Sequence, residues 1–153
     1  MKAPQKLIAE HPFFQGMKAG HLELLARAAR EVKFAAGDIV FREGDGAGQF
    51  FLLRTGRVLL DTHAPGREAV RIQTLGPGDA LGWSWLFPPF VWHFSATALE
   101  PTTAMAFDGA RLLAACERDS ALGYDLMKRV ARVMMLRLQA TRLQLLDVYG
   151  VRS

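Results

Sequence analysis

Residues 33–82 read KFAAGDIVFREGDGAGQFFLLRTGRVLLDTHAPGREAVRIQTLGPGDALG. Short apolar runs of about five residues alternate with glycine-rich punctuation, the texture of an all-β barrel or sandwich. RTGR and HAPGRE read as hairpin turns. GDGAG is a longer loop, in which Asp and Gly supply positive φ and side-chain-to-backbone hydrogen bonds. LGPGD is a further turn, with Pro77 fixing φ beside two glycines, and TTAMAF (102–107) is a last strand. The β region is therefore expected over 32–107.

Outside this region the period changes. In residues 3–31, Leu7 and Ile8, then Leu22, Leu24, Leu25, Ala28 and Ala29 recur at helical spacing, with HPFFQGM as a turn between them. After Asp108 the pattern is helical, over 108–150: a short helix in DGARLLAACERD, then a long one with Ser120 as N-cap and Gly150 as its stop. The fold class is mainly β with flanking helices, in a single domain spanning 1–153.

The long helix carries two apolar stripes. One is Met127, Val130, Met134, Leu138, Thr141, Leu145 and Val148. The other is Leu122, Leu126, Val133, Leu136, Ala140 and Leu143. A helix with two apolar sides needs two partners. One is its own barrel; the other is expected to be the same helix of a second subunit, met through Met127, Val130, Met134, Leu138, Thr141 and Leu145, giving a homodimer.

Half of the 153 residues are hydrophobic and 22% are charged, which suits one packed core and excludes wholesale disorder. The net charge of +4 is modest. Part of it clusters in Lys128, Arg129, Arg132, Arg137 and Arg142, read here as a solvated helix face. Cys116 is the only cysteine, so no intramolecular disulfide can form, and its apolar helical setting makes it a small hydrophobe. No apolar run suits a signal peptide or the roughly 20 residues of a membrane span, so a cytoplasmic location without membrane contact is expected.

The β region resembles the cyclic nucleotide-binding domain of the catabolite activator (Crp/Fnr) family, of protein kinase A regulatory subunits and of gated ion channels. Phe34, Gly37, Val40, Phe41, Gly44, Gly48, Phe51, Leu53, Gly56 and Val58 match its turn glycines and strand hydrophobics. LGPGDALG (75–82) matches the turn before the ligand cassette, and ALEPT (98–102) the strand after it. The resemblance implies an eight-stranded, cupin-like jelly-roll barrel. Its short N-terminal helices would lie at one end, and a long C-terminal helix would lid the pocket and dimerise. It also implies a regulatory role. Transcription factors of this type carry a helix-turn-helix after the long helix. Residues 1–153 offer no such unit, so sequence-specific DNA binding is not expected from this chain.

In ligand-binding members the cassette opens Gly-Glu and later carries an Arg that pairs with the cyclic phosphate. Here Gly82 matches the Gly, Trp83 stands at the Glu position, and the Arg position falls at or near Trp92. No Glu occurs between Glu68 and Glu100, and no Arg between Arg71 and Arg111. A desolvated phosphate without a cation is costly, so a conventional cyclic-nucleotide grip is not expected. Substituted contacts would come from Ser84, Ser95, Thr97, a protonated His93 and backbone amides after Gly82.

The segment LGWSWLFPPFVWHFSATA (81–98) instead holds all three tryptophans, with six aromatic side chains from Trp83 to Phe94. The candidate site is therefore Gly82, Trp83, Ser84, Trp85, Trp92, His93, Ser95 and Thr97. In it the indoles stack on a flatter, less charged effector, with His93 and Ser84 as polar anchors. The competing reading is a ligand-free dimerisation or docking scaffold with aromatic side chains plugging the pocket. Haem is not expected, because His93 stands alone and the other histidines show no ligand spacing. An enzyme is not expected either: there is no His-x-His cluster and no Ser-His-Asp setting.

Overall fold

A computed structural model describes residues 4–63, 66 and 68–148, the side chain of Val148 excepted. The expected stop at Gly150 and half of the HAPGRE turn (Ala64, Pro65 and Arg67) lie outside the described residues.

Helices α1 (Pro4–Glu10) and α2 (Ala19–Ala26) precede eight strands: β1 (Ala29–Phe34), β2 (Ile39–Phe41), β3 (Gln49–Thr55), β4 (Val58–Thr62), β5 (Val70–Leu75), β6 (Ala80–Leu81), β7 (Ser95–Ala98) and β8 (Thr102–Asp108). Helices α3 (Gly109–Arg118) and α4 (Ser120–Val148) follow. The strands form two four-stranded antiparallel sheets, β1-β8-β3-β6 and β2-β7-β4-β5, the two layers of a jelly roll. The first strand begins three residues earlier than the sequence pattern suggests, at Ala29, where it pairs with Phe107.

The central pair β3 and β8 organises two cores. Successive side chains on a strand point to opposite faces. In QFFLLRT, Phe50 and Leu52 face the helices, whereas Phe51 and Leu53 face the other sheet. In TTAMAFD, Met105 and Phe107 join the helical side, and the small Ala104 and Ala106 face inward. Register sets Phe51 opposite Ala106 and Leu53 opposite Ala104, so large and small inward residues interdigitate between the sheets. The outer faces of Phe50 and Phe107 are covered by Ile8, Phe14, Leu25, Leu112, Leu122 and Leu126. The continuous apolar run of β3 follows from this double burial.

The HPFFQGM turn forms a 3-10 helix at Pro12–Phe14, capped by His11. His11 is buried; its Nε2–H donates to the Leu53 carbonyl at 2.8 Å, and its Nδ1 accepts from Phe13 N at 3.1 Å. One neutral ring thus ties the N-terminal helices to β3. The cap of α4 is Asp119, not Ser120: Asp119 Oδ1 accepts from Leu122 N at 3.2 Å. Gly56 closes the β3–β4 hairpin at φ +91°, and a Cβ there would sit 2.6 Å from the Pro101 carbonyl oxygen. Only glycine fits both constraints.

Burial pushes the His11 imidazole below its ordinary value of 6.5, against a smaller opposing effect from the Leu53 carbonyl. Its contribution to stability is full above pH 6.5, where the folded and unfolded chains both keep it neutral. It is lost as pH falls toward the folded value, because the unfolded chain takes up the proton first. Urea midpoints should therefore drop between about pH 7.5 and about pH 5.5. His11→Gln should be less stable at the upper pH but show a shallower drop; an unchanged slope would remove His11 as the cause.

Candidate functional site

The cassette segment runs from β6 to β7. Gly82 follows β6 at φ +90°, and a Cβ there would meet Trp92 Cζ3 at 2.5 Å. The Trp92 indole therefore lies directly on the Gly82 backbone. Its other contact is Phe41, stacked at 3.7 Å between centroids with 6° between planes. The GDGAG loop holds this ring from behind. Trp92 N donates to Asp45 O at 2.9 Å, Gly44 N donates to Trp92 O at 2.8 Å, and Ala47 N donates to Phe90 O at 2.7 Å. Trp92 is 4% exposed and belongs to the inter-sheet core. An indole thus packs directly on the glycine that opens this segment.

Trp85 points to the opposite core. It lies in a 3-10 helix (Ser84–Leu86), with Nε1–H donating to Gly82 O at 3.1 Å and its ring 5.5 Å from Phe50. A Cβ at Gly109 would stand 2.8 Å from Trp85 Cβ, so α3 starts flush against it. Ser84 is buried in the same turn.

Several candidate residues do not converge on one site. Trp85 and Trp92 are core side chains, not stacking platforms, because each has its faces filled by protein. His93 is exposed. Ser95 Oγ accepts from Glu43 N at 2.9 Å, securing the strand edge. Thr97 lies on β7 opposite Ile39 and Leu59, and the inward positions of that strand belong to the buried Ala96 and Ala98.

Trp83 differs from the other two tryptophans. It is half-buried and, with Phe94 and Met134, walls an open-sided cavity of about 570 Å³ between the β4–β5 hairpin and α4. Leu60 and Ile72 form the barrel wall, and Leu138 closes the helix side. The lining is apolar apart from Gln73, Thr141 and Arg137. The guanidinium of Arg137 lies over the Trp83 ring, 5.0 Å from its centroid. Burial lowers the Arg137 pKa to about 10, with Asp79 opposing, so the group is still a cation at neutral pH.

Two readings of α4 change. The stripe assigned to a second subunit mostly serves this chain. Val130 is buried in the helical core, Met127 packs against it, and Met134, Leu138 and Thr141 line the cavity. Leu138 and Leu145 are nevertheless 71% and 54% exposed, with Met135 and Leu143 also open to solvent. The basic run is not uniformly solvated either. Arg129 pairs with Asp125 at 2.8 Å and donates to Phe13 O and Gln15 O, while Arg137 is turned inward. Arg137 was not among the expected site residues. Its one sequence signal is position: seven residues after Val130, it falls on nearly the same helix face as that buried side chain. Among the described residues no group of three or more His, Cys, Asp or Glu side chains is placed to hold a metal ion. No helix among them is long and apolar enough to cross a membrane.

A jelly roll with a glycine-led cassette between β6 and β7 and a long helix packed across it defines the class, the cyclic nucleotide-binding type of barrel. Residues 31–119 match the cyclic nucleotide-binding domain, and the chain belongs to that family. It is similar to a CRP-like cAMP-activated global transcriptional regulator of Mycobacterium tuberculosis, 27% identical over 149 residues, which cover 94% of this chain. The chain spans 62% of the length of that relative. Among solved structures it resembles a candidate cyclic nucleotide-binding protein from Geobacter metallireducens GS-15, with a TM-score of 0.78, 30% identity and coverage of 90% of this chain and 99% of the other. It also resembles the catabolite activator protein of Thermus thermophilus, with a TM-score of 0.69, 27% identity and coverage of 89% and 63%.

The three tryptophans should separate in unfolding experiments. Trp92→Ala and Trp85→Ala each empty a packed site and should cost about 3–5 kcal/mol. Trp83→Ala removes a half-exposed ring and its cation contact, and should cost about 1 kcal/mol. Equal losses at all three positions would contradict this division.

Proposed function

We propose that the chain is a ligand-responsive regulatory domain acting in the cytoplasm, and that its effector space is the cavity under α4 and not the cassette. The observation that carries this reading is the contrast between the two places. At Gly82 the space is filled by Trp92, and both residues of the usual ribose and phosphate grip are replaced. Beside Trp83 an apolar cavity of about 570 Å³ stays open, a size suited to a small molecule. A ligand there would touch the barrel and α4 together, so binding would bear on how the helix sits. The helix also presents Met135, Leu138 and Leu145 to solvent, which supports a homodimer formed through this face. The signal would then pass from cavity to dimer along one element.

Binding can be read as a rise in melting temperature, because a ligand at about 100 times its Kd adds about 2.7 kcal/mol. For a domain of this size that is a shift of about 5–10 °C. Screening cyclic AMP, cyclic GMP, cyclic dinucleotides, haem and small aromatic compounds should give a shift with an aromatic compound and none with cyclic AMP or cyclic GMP. Ile72→Trp, which fills the cavity, should abolish it. Silence from every compound would favour the ligand-free scaffold, a reading to which the Trp92–Phe41 stack also lends support.

The dimer is tested separately. Wild-type protein should sediment as a dimer and Leu138→Glu as a monomer with an unchanged circular dichroism spectrum. A dimer that survives Leu138→Glu would rule out this face.

A further inference from the structure

Arg137 is inward-facing, charged and incompletely partnered. Its Nη1 is shut off from solvent and has no hydrogen-bond partner. Its contact with the Trp83 ring attracts the cation but offers no acceptor to its N–H groups. Asp79 acts on it only through space and accepts no hydrogen bond from that nitrogen. A buried N–H without an acceptor is costly to a fold, and a hydrophobic side chain of similar volume would avoid that cost. The neighbouring arginine on the same helix shows the contrast, since Arg129 has a carboxylate and two carbonyls.

The surroundings narrow what would complete Arg137. The cavity offers aromatic and aliphatic walls in Trp83, Phe94, Leu60 and Ile72. Its hydroxyl group, on Thr141, already donates to the Arg137 carbonyl at 2.9 Å, which leaves the Gln73 amide as the other polar side chain of the lining. A sugar with several hydroxyls would leave most of them unpaired against carbon, a penalty for each. A flat apolar body with one anionic end fits both the walls and the guanidinium.

We infer that the effector is a small aromatic carboxylic acid, its ring held between Trp83 and Phe94 and its carboxylate taken by Arg137. This rests on the reading of the α4 cavity as the effector space. The cation that the cassette lacks is then supplied by the helix. A planar guanidinium fork suits a carboxylate through two parallel hydrogen bonds. Nη1 is shut off from solvent in the unliganded chain, so the carboxylate reaches it once the guanidinium turns toward the cavity; Nη1 then gains the acceptor it lacks, and the anion would be favoured over an uncharged molecule of the same shape.

The test compares 2-naphthoate with 2-naphthamide by thermal shift and calorimetry at neutral pH, on the full chain and on Arg137→Gln and Ile72→Trp. Naphthoate should bind wild type about 10- to 100-fold more tightly than the amide. Arg137→Gln should erase that preference, and Ile72→Trp should abolish binding of both. If acid and amide bind wild type equally and Ile72→Trp blocks both, the cavity reading stands and the carboxylate inference falls. If neither binds while another screened compound does, in a manner blocked by Ile72→Trp, the outcome is the same. If no compound binds in a manner that Ile72→Trp blocks, both readings fall. A second measurement needs no ligand. Arg137→Met should leave the melting temperature of the unliganded protein unchanged or raise it. A drop of several degrees would show that the guanidinium serves the fold and would overturn the inference.

Discussion

Strands β3 and β8 are buried on both faces, and that constraint arranges the rest of the domain. Phe50, Leu52, Met105 and Phe107 on one face must be covered by helices, while Phe51, Leu53, Ala104 and Ala106 on the other must meet a second sheet. A strand pair with two apolar faces cannot stop at a single layer, because each uncovered face would leave several large side chains in water at about 1.5–3 kcal/mol apiece. The N-terminal helices, α3 and the first half of α4 supply one cover, and the second sheet supplies the other. His11 joins the layers through a single buried ring.

The aromatic segment between β6 and β7 is divided by the same two cores. Trp85 goes to the helical side against Phe50, and Trp92 goes to the inter-sheet side against Phe41. Gly82 stands between them, its carbonyl bonded to one indole and its Cα pressed by the other. Trp83 packs on the margin of the helical-side core and lies under the Arg137 guanidinium at the edge of the α4 cavity.

Much of the fold was legible in the chain, for local reasons. The glycine punctuation of 33–82 marks turns that need positive φ, and Gly56 and Gly82 adopt it. The FFLL and AMAF runs read as short strands, and the two packed layers show that both of their faces are buried. The site was less legible. Six aromatic residues in one segment look alike in sequence, and only the direction of each side chain separates plug, pillar and wall. The α4 stripe misled for a related reason. Val130, Met134 and Leu138 share one helical repeat, yet the first is buried against its own barrel, the second lines the cavity and the third is mostly in solvent. Helical period identifies a face but not what lies opposite it at each turn.

Local sequence was enough for the jelly roll with its flanking helices, for the resemblance to its family, and for the absence of Glu between Glu68 and Glu100 and of Arg between Arg71 and Arg111. These follow from turn chemistry, alternation and residue identity, which are properties of short stretches. It took the folded chain to show that Trp92 packs on Gly82, that Trp83 walls an open cavity, and that Arg137, more than forty residues beyond Trp92, lines that cavity too. Such pairings depend on how a helix crosses a barrel. Arg137 sits in a basic run that reads as solvated, and it is half-buried because that face of α4 turns toward the cavity and Trp83.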